Sequence, residues 1–331
     1  MKFKEVIGID VGKLSNEVRI HSNQLAHEFE NTSKGFKTML KWTLQNVTCI
    51  KDELLFAFEH TGIYSFPLSA FLTENSIHFV LLPGLEIKRS MGIQRGKNDK
   101  VDAKRIALYA YRRKDEIEPY RLPSKRLIDI RRLLSLRERM VVQRGFFMKS
   151  LKENNMFFRK IDNKVLFKVQ EKMLKEFTTQ IEKIEEELNS IVNTEPDIKK
   201  QFDLITSIKG VGKQTAMYMI AFTNGFTLFS NWRKFASYAG TAPFPYQSGI
   251  SINGRTKVNH LANKKFKSLL NLCAISAIVC NPEMKTYFER RKKEGKNGMS
   301  TINVVRNKIL SRIFAVVNRG TPYVEICKYA A

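Results

Sequence analysis

The chain has 331 residues, 43% of them hydrophobic, so it can build two or three cores and is too apolar to be disordered throughout. Its 57 Lys and Arg against 32 Asp and Glu leave a formal charge of +25, which points to a polyanionic partner through counterion release. No apolar run is long enough for a membrane-spanning helix, and four cysteines and five histidines without CxxC or HxxxH spacing speak against zinc.

Residues 4–11 (KEVIGIDV) read as a buried strand, and 17–22 and 25–31 alternate well enough to complete a three-stranded meander. Residues 34–47 show helical spacing through Phe36, Met39, Leu40, Trp42 and Leu44. Leu54 to Phe58 is an unbroken apolar run, the pattern of a strand buried on both faces, and it ends at Glu59. A helix is expected from Tyr64 to Glu74 and a strand from Ile77 to Leu82, stopped by Pro83-Gly84. A further helix is expected from Val101 to Arg113. Three strands, then helix, strand, helix, strand and helix is the order of an RNase H-like α/β domain, in which the first and fourth strands are neighbours. Asp10 and Glu59 would then stand side by side at strand ends. Asp99 and Asp102 are three apart and share a helix face. That pair also suits an ordinary helix N-terminus. An acid after VIGI, by contrast, must be ligated, paired or left costly. Four carboxylates without a His or Cys cluster have the hard oxygen donors of a Mg²⁺ or Mn²⁺ site, which is the equipment of phosphoryl transfer.

Residues 121–200 carry apolar positions at helical spacing, from Leu127 to Met140 and from Phe177 to Leu188. Two long helices in a coiled-coil hairpin are expected there, as a spacer or dimer contact. Residues 86–160 hold 22 Lys and Arg against 9 Asp and Glu, so part of this arm is suited to a nucleic-acid backbone. Within LITSIKGVGKQTAMYM (204–219), Gly210 and Gly212 with Lys213 look like half of a helix-hairpin-helix, whose glycines admit a phosphate to backbone N–H groups. A tight turn between packed helices reads as well. Residues 231–240 continue as helix, 241–256 read as a loop, and 257–280 and 300–318 as amphipathic basic helices in which Cys273 and Cys280 fill the core. Ser248 lies in the loop, with Arg255 and Lys257 placed to clamp a phosphate. By spacing alone Ser248 reads as a turn residue before it reads as a nucleophile, and Ser251 is its equal. A serine needs a base or a metal to attack phosphorus, and His260 is the nearest histidine. The balance of charge is +15 in residues 201–331 (20 against 5) and +10 in the first 200 (37 against 27), so both parts are expected to touch nucleic acid.

The segments IGIDVGK (7–13), FEHTGIY (58–64), KNDKVDAKRIA (97–107), ITSIKGVGKQTA (205–216) and FASYAGTAPFPYQSGISINGR (235–255) occur in one order along the chain. With them the chain resembles the DEDD transposases of insertion-sequence family 110, which include the Piv-type DNA invertases. The resemblance implies α/β plus all-α architecture: a RuvC-like, RNase H-fold domain over 1–120, a coiled-coil linker and dimerisation arm over 121–200, and a helical transposase domain over 201–331. It implies that Asp10, Glu59, Asp99 and Asp102 bind Mg²⁺ or Mn²⁺, and that Ser248, rather than Ser251, forms a phosphoserine link to DNA. It implies donor and target DNA as partners, a structured guide RNA (a bridge RNA), and homodimers that join into a tetramer. The acids of one subunit would then be able to serve the serine of another. A RuvC-like junction nuclease and a non-catalytic nucleic-acid-binding protein are the competing expectations. With no secretory signal at the amino terminus and unpaired thiols, the expected location is the cytoplasm, at the nucleoid.

Overall fold

The computed structural model describes residues 3–90, 99–249 and 252–325, and for Asp99, Lys100, Ser248, Ile252 and Arg255 the backbone alone. The chain divides into two units, Met1–Leu122 and Pro123–Ala331.

The first unit is a mixed α/β domain. Strands β1 (Glu5–Val11), β2 (Ser15–Ile20) and β3 (Ala26–Glu30) form the expected meander. Helix α1 (Ser33–Gln45) follows, with the Thr32 side chain accepting from the Gly35 N–H at its start. Then come β4 (Leu54–Glu59), α2 (Phe66–Glu74), β5 (Phe79–Leu82), a short α3 (Gly84–Ser90) that was not anticipated, and α4 (Asp99–Arg112). The sheet order is β3-β2-β1-β4-β5, with β1 parallel to β4, β4 parallel to β5, and the meander antiparallel. This arrangement is consistent with the RNase H-like domain expected from the order of elements.

Both faces of the central strands are covered. Ile7, Ile9 and Val11 enter one core with Phe56, Phe58, Phe36, Met39, Leu68 and Leu72. Val6, Leu55 and Ala57 enter another with Ile106, Tyr109 and Ala110 of α4. Double burial is why β4 carries no polar residue before Glu59. Gly8 sits where α4 crosses β1. A Cβ there would stand 2.5 Å from the Ala107 nitrogen and closer still to the Ala103 carbonyl oxygen. The missing side chain sets how near α4 approaches the sheet.

The second unit is mostly helical. Helices α5 (Lys125–Phe157) and α6 (Lys164–Thr194) form a long hairpin held by an Arg137–Glu185 ion pair at 2.6 Å and a Phe147–Phe177 ring contact. They are followed by α7 (Pro196–Thr206), α8 (Lys213–Phe222), α9 (Trp232–Tyr238), β6 (Pro243–Ser248), β7 (Ile252–Val258), α10 (Lys264–Cys280), α11 (Pro282–Lys293) and α12 (Gly298–Arg319). The base of the arm is not separate from these helices. Leu127, Ile130 and Leu134 of α5 and Ile184, Leu188 and Ile191 of α6 share one core with α7 to α12.

Three expectations are corrected here. Residues 241–256 are not a loop: β6 and β7 pair as an antiparallel ribbon. Its residues are largely exposed, so no buried face imposed an apolar alternation. The helix expected from 257 begins at Lys264, where the Asn263 side chain caps the Lys265 and Phe266 N–H groups, and a second helix, α11, opens at Pro282 after the Asn281 cap. Cys273 is buried as expected, but Cys280 ends α10 beyond the core and is exposed.

Gly8→Ala is expected to lower the unfolding free energy by about 1–3 kcal/mol, because backbone atoms of α4 must yield. Gly145→Ala, in the interior of α5 with open space around it, is expected to raise it by about 0.5–1 kcal/mol. Denaturant unfolding of the two variants checks both signs.

Candidate active site

The β1–β4 register ends with Ile9 beside Phe58. The next residues are Asp10 and Glu59, so two acids stand at one level where parallel strands end. Side chains alternate along a strand. Asp10 and Glu59 therefore share the face of Val6, Gly8, Leu55 and Ala57, which is the face α4 covers. Helix α4 runs against β1: its Ala103 and Ala107 meet Gly8, while Ala110 lies with Val6. Its first turn, with Asp99 and Asp102, consequently lies toward the Asp10 end.

Each described acid has a distinct setting. Glu59 is half-buried, and Gly84 at the start of α3 leaves room for its carboxylate, which a Cβ there would strike. Asp102 accepts from Arg105 Nη1 at 2.7 Å, with both side chains largely buried. The Arg105 Nε is buried without a hydrogen-bond partner. The Asp99 side chain lies outside the described residues.

A further acid escaped the sequence reading. Glu17 faces Asp10 directly across β1–β2 and is 8% exposed. Directly opposed residues of an antiparallel pair point to the same face. Nothing in NEVRI singles Glu17 out until that pairing is known.

Among the described residues, no group of three or more His, Cys, Asp or Glu side chains is gathered closely enough to hold a metal ion. The donors nevertheless suit a hard divalent cation in kind. They are carboxylate oxygens, two of them level on paired strands, and a third has already drawn in a guanidinium. Asp102 would reach an ion by exchanging Arg105 for it.

Ser248 is the last residue of β6, paired with Ile252, and Gly249 follows at φ +57°, in the left-handed region that glycine favours. The Ser248 side chain and all of Ser251 lie outside the described residues. The ribbon itself is open to solvent. Tyr246 is 67% exposed and its ring lies over Gly254, where a Cβ would come within 2.9 Å of it. Lys257 is exposed opposite Phe244, and the register shifts between Phe244 and Tyr246, across from the stretch that carries Arg255. His260 is exposed just beyond β7.

The turn between α7 and α8 has a packing role. Gly210 adopts φ +93°, and a Cβ on it would lie 2.7 Å from the Ala277 backbone of α10. Gly212 precedes α8. It and the Thr215 hydroxyl hydrogen-bond the Cys273 thiol, whose pKa burial pushes up and these bonds pull down. Lys213 is exposed at the first position of α8.

Residues 7–153 match a transposase model of the DEDD, IS110 type, and residues 202–289 match the transposase model of the IS116/IS110/IS902 family. The first span holds all four acids, the second the glycine turn and the ribbon. The pilin gene-inverting protein of Moraxella bovis is 24% identical over 97% of this chain and 98% of its own length. An uncharacterized 43.6 kDa protein of insertion element IS110 from Streptomyces coelicolor is 29% identical over 42% of this chain and 33% of its own. Two models of one family, matched in order along the chain, and an α/β unit followed by a helical one lead to the same conclusion: the chain belongs to the IS110 family of DEDD transposases.

Proposed function

We propose that this transposase cuts and rejoins DNA through a phosphoserine link made by Ser248, with Asp10, Glu59, Asp99 and Asp102 holding Mg²⁺ or Mn²⁺. The observation that carries this reading is the β1–β4 register, which levels Asp10 with Glu59 on the face covered by α4. A bound divalent ion would supply positive charge to the non-bridging phosphate oxygens and ease loss of the serine proton. The remaining chemistry belongs to the chain. Ser248 Oγ attacks phosphorus, one P–O bond forms, and the opposite P–O bond breaks to release a sugar hydroxyl that takes up a proton. A hydroxyl from the new partner strand then attacks the phosphoserine and returns the serine. One phosphoester is exchanged for another at each step, so no nucleotide cofactor is required. Lys257 and Arg255 on β7, and Lys213 with the Gly210–Gly212 turn, are assigned to the DNA backbone.

Recombination that inverts a segment uses the same chemistry as transposition. A relative aligned over nearly the whole chain is a pilin gene-inverting protein, which favours inversion as the second reading. A structured RNA is proposed as guide to donor and target DNA, in keeping with the positive charge of both parts of the chain.

The arm is proposed as the dimer contact. Its far end exposes Phe157 (80%), Ile161 (75%) and Val165 (77%), an apolar group left open by the described residues of one chain. A second copy of the same tip would bury it, and two such dimers would form a tetramer.

Ser248→Ala is expected to abolish covalent protein–DNA adducts on denaturing gels, and Asp10→Asn to abolish recombination with unfolding unchanged. Adducts that persist in Ser248→Ala reject the nucleophile, and hydrolysed ends without adducts indicate a junction nuclease. Sequencing the nucleic acid that copurifies with the protein is expected to return one enriched structured RNA; a random mixture counts against guidance. Phe157→Asp with Val165→Asp is expected to convert dimers to monomers by light scattering, and unchanged mass rejects the arm as the contact.

A further inference from the structure

Arg306 of α12 is 5% exposed, yet among the described residues no carboxylate pairs with it. Its Nη1 donates to Asn303 Oδ1 at 3.3 Å, its Nη2 donates to Asn271 Oδ1 on α10, and its Nε is buried without a partner. Burial pulls its pKa below the ordinary arginine value, with no opposing carboxylate. A charge taken out of water and met only by amides is costly, and an apolar side chain of similar size would fill the space at lower cost.

The amide that Arg306 holds shows what this cost maintains. Asn303 Nδ2 donates to the Thr241 carbonyl at 2.9 Å. A side-chain amide can be turned either way. With Oδ1 taken by the guanidinium, Nδ2 is left to face Thr241. Asn307 reinforces the same point: its Nδ2 donates to the Thr241 carbonyl at 3.0 Å, and its Oδ1 accepts from the Thr241 hydroxyl at 3.0 Å. Thr241 is fully buried and stands two residues before Pro243, the first residue of β6. A connected path, Asn271–Arg306–Asn303–Thr241, thus ties α10 and α12 to the root of the ribbon that carries Ser248. The planar fork meets the two amides with two separate nitrogens, a geometry that a single ammonium does not reproduce.

We propose that Arg306 is a positioning residue that sets the root of the serine ribbon, through Asn303, for strand joining. Its consequence for the reaction rests on Ser248 being the nucleophile; its effect on the ribbon does not.

The test is hydrogen–deuterium exchange of the full-length protein, paired with the rate of adduct formation at saturating DNA. Arg306→Lys keeps the charge and loses the fork. Asn303→Asp sets an oxygen against the Thr241 carbonyl but gives the buried guanidinium a charged acceptor, so it is expected to stay folded. In both, amides of 242–248 and 253–258 are expected to exchange about tenfold faster, as loss of one hydrogen bond implies. Core amides of α8 are expected to be unchanged. Adduct formation is expected to slow by about tenfold with DNA affinity unaltered. Parent-like exchange over the ribbon in Asn303→Asp overturns the proposal. Ser248→Ala separates the two readings, since it is expected to lose adducts and keep parent-like exchange. Adducts persisting there, with exchange still raised in Asn303→Asp, reject the nucleophile and keep the positioning.

Discussion

Everything on the first unit depends on one backbone pairing, the parallel ladder between β1 and β4. It joins segments about fifty residues apart in sequence and sets their register, and register decides which side chains share a level and a face. A slip of one residue would put Asp10 beside Phe58 and turn one of them to the opposite side of the sheet. Side-chain size opposes the slip: Ile7, Ile9, Phe56 and Phe58 fill the core with α1 and α2, while the opposite face carries Gly8 and Ala57 where α4 lies close. The acids are therefore placed by the hydrophobic residues that precede them. Gly8 completes the arrangement by letting α4 lie close enough to bring its first turn toward the same end.

Electrostatics pull in opposite directions along the chain. The first unit carries Asp10, Glu17 and Glu59 at adjacent register positions in a protein that is strongly positive overall. A divalent ion among these acids is the proposal made above; in the structure the Arg105 guanidinium meets Asp102. The second unit has an excess of basic residues. Surface ion pairs such as Lys199–Asp203 and Arg290–Glu294 contribute roughly 0–1 kcal/mol each and neutralise little of it. Most of its cations are left facing solvent, where a phosphate backbone would meet them.

What could be read from the sequence follows burial. The order of strands and helices in the first unit was legible because its central strands are buried on both faces, with β4 stopping at an acid and β5 at Pro-Gly. The two arm helices were legible because a long seam repeats. The ribbon at 243–258 was not, since a two-stranded element exposed on both sides carries no periodic apolar signal, and Pro243, Pro245 and Gly254 resemble loop residues. Glu17 was hidden for a different reason: its place opposite Asp10 is a property of pairing, absent from either strand alone. Gly210 shows the converse. Its glycine suggested a phosphate cradle, and the close approach of Ala277 gives an independent reason for it.

A two-stranded ribbon is marginal by itself in water. The order of β6 and β7 must therefore come from outside the ladder or from its stiffest residues. Pro243 and Pro245 restrict the backbone before folding, which lowers the entropy lost on ordering. Tyr246 covers Gly254 across the strands and shields the ladder at its weakest point. The buried Thr241 fastens one end to α12 through two amides. Support is thus concentrated at the root and thins toward Ser248 and Gly249. With Ser248 as the proposed nucleophile, its direction of approach would be set by the helices that hold Thr241. That proposal gives the costly polar network a reason to lie under the start of the ribbon rather than at the serine.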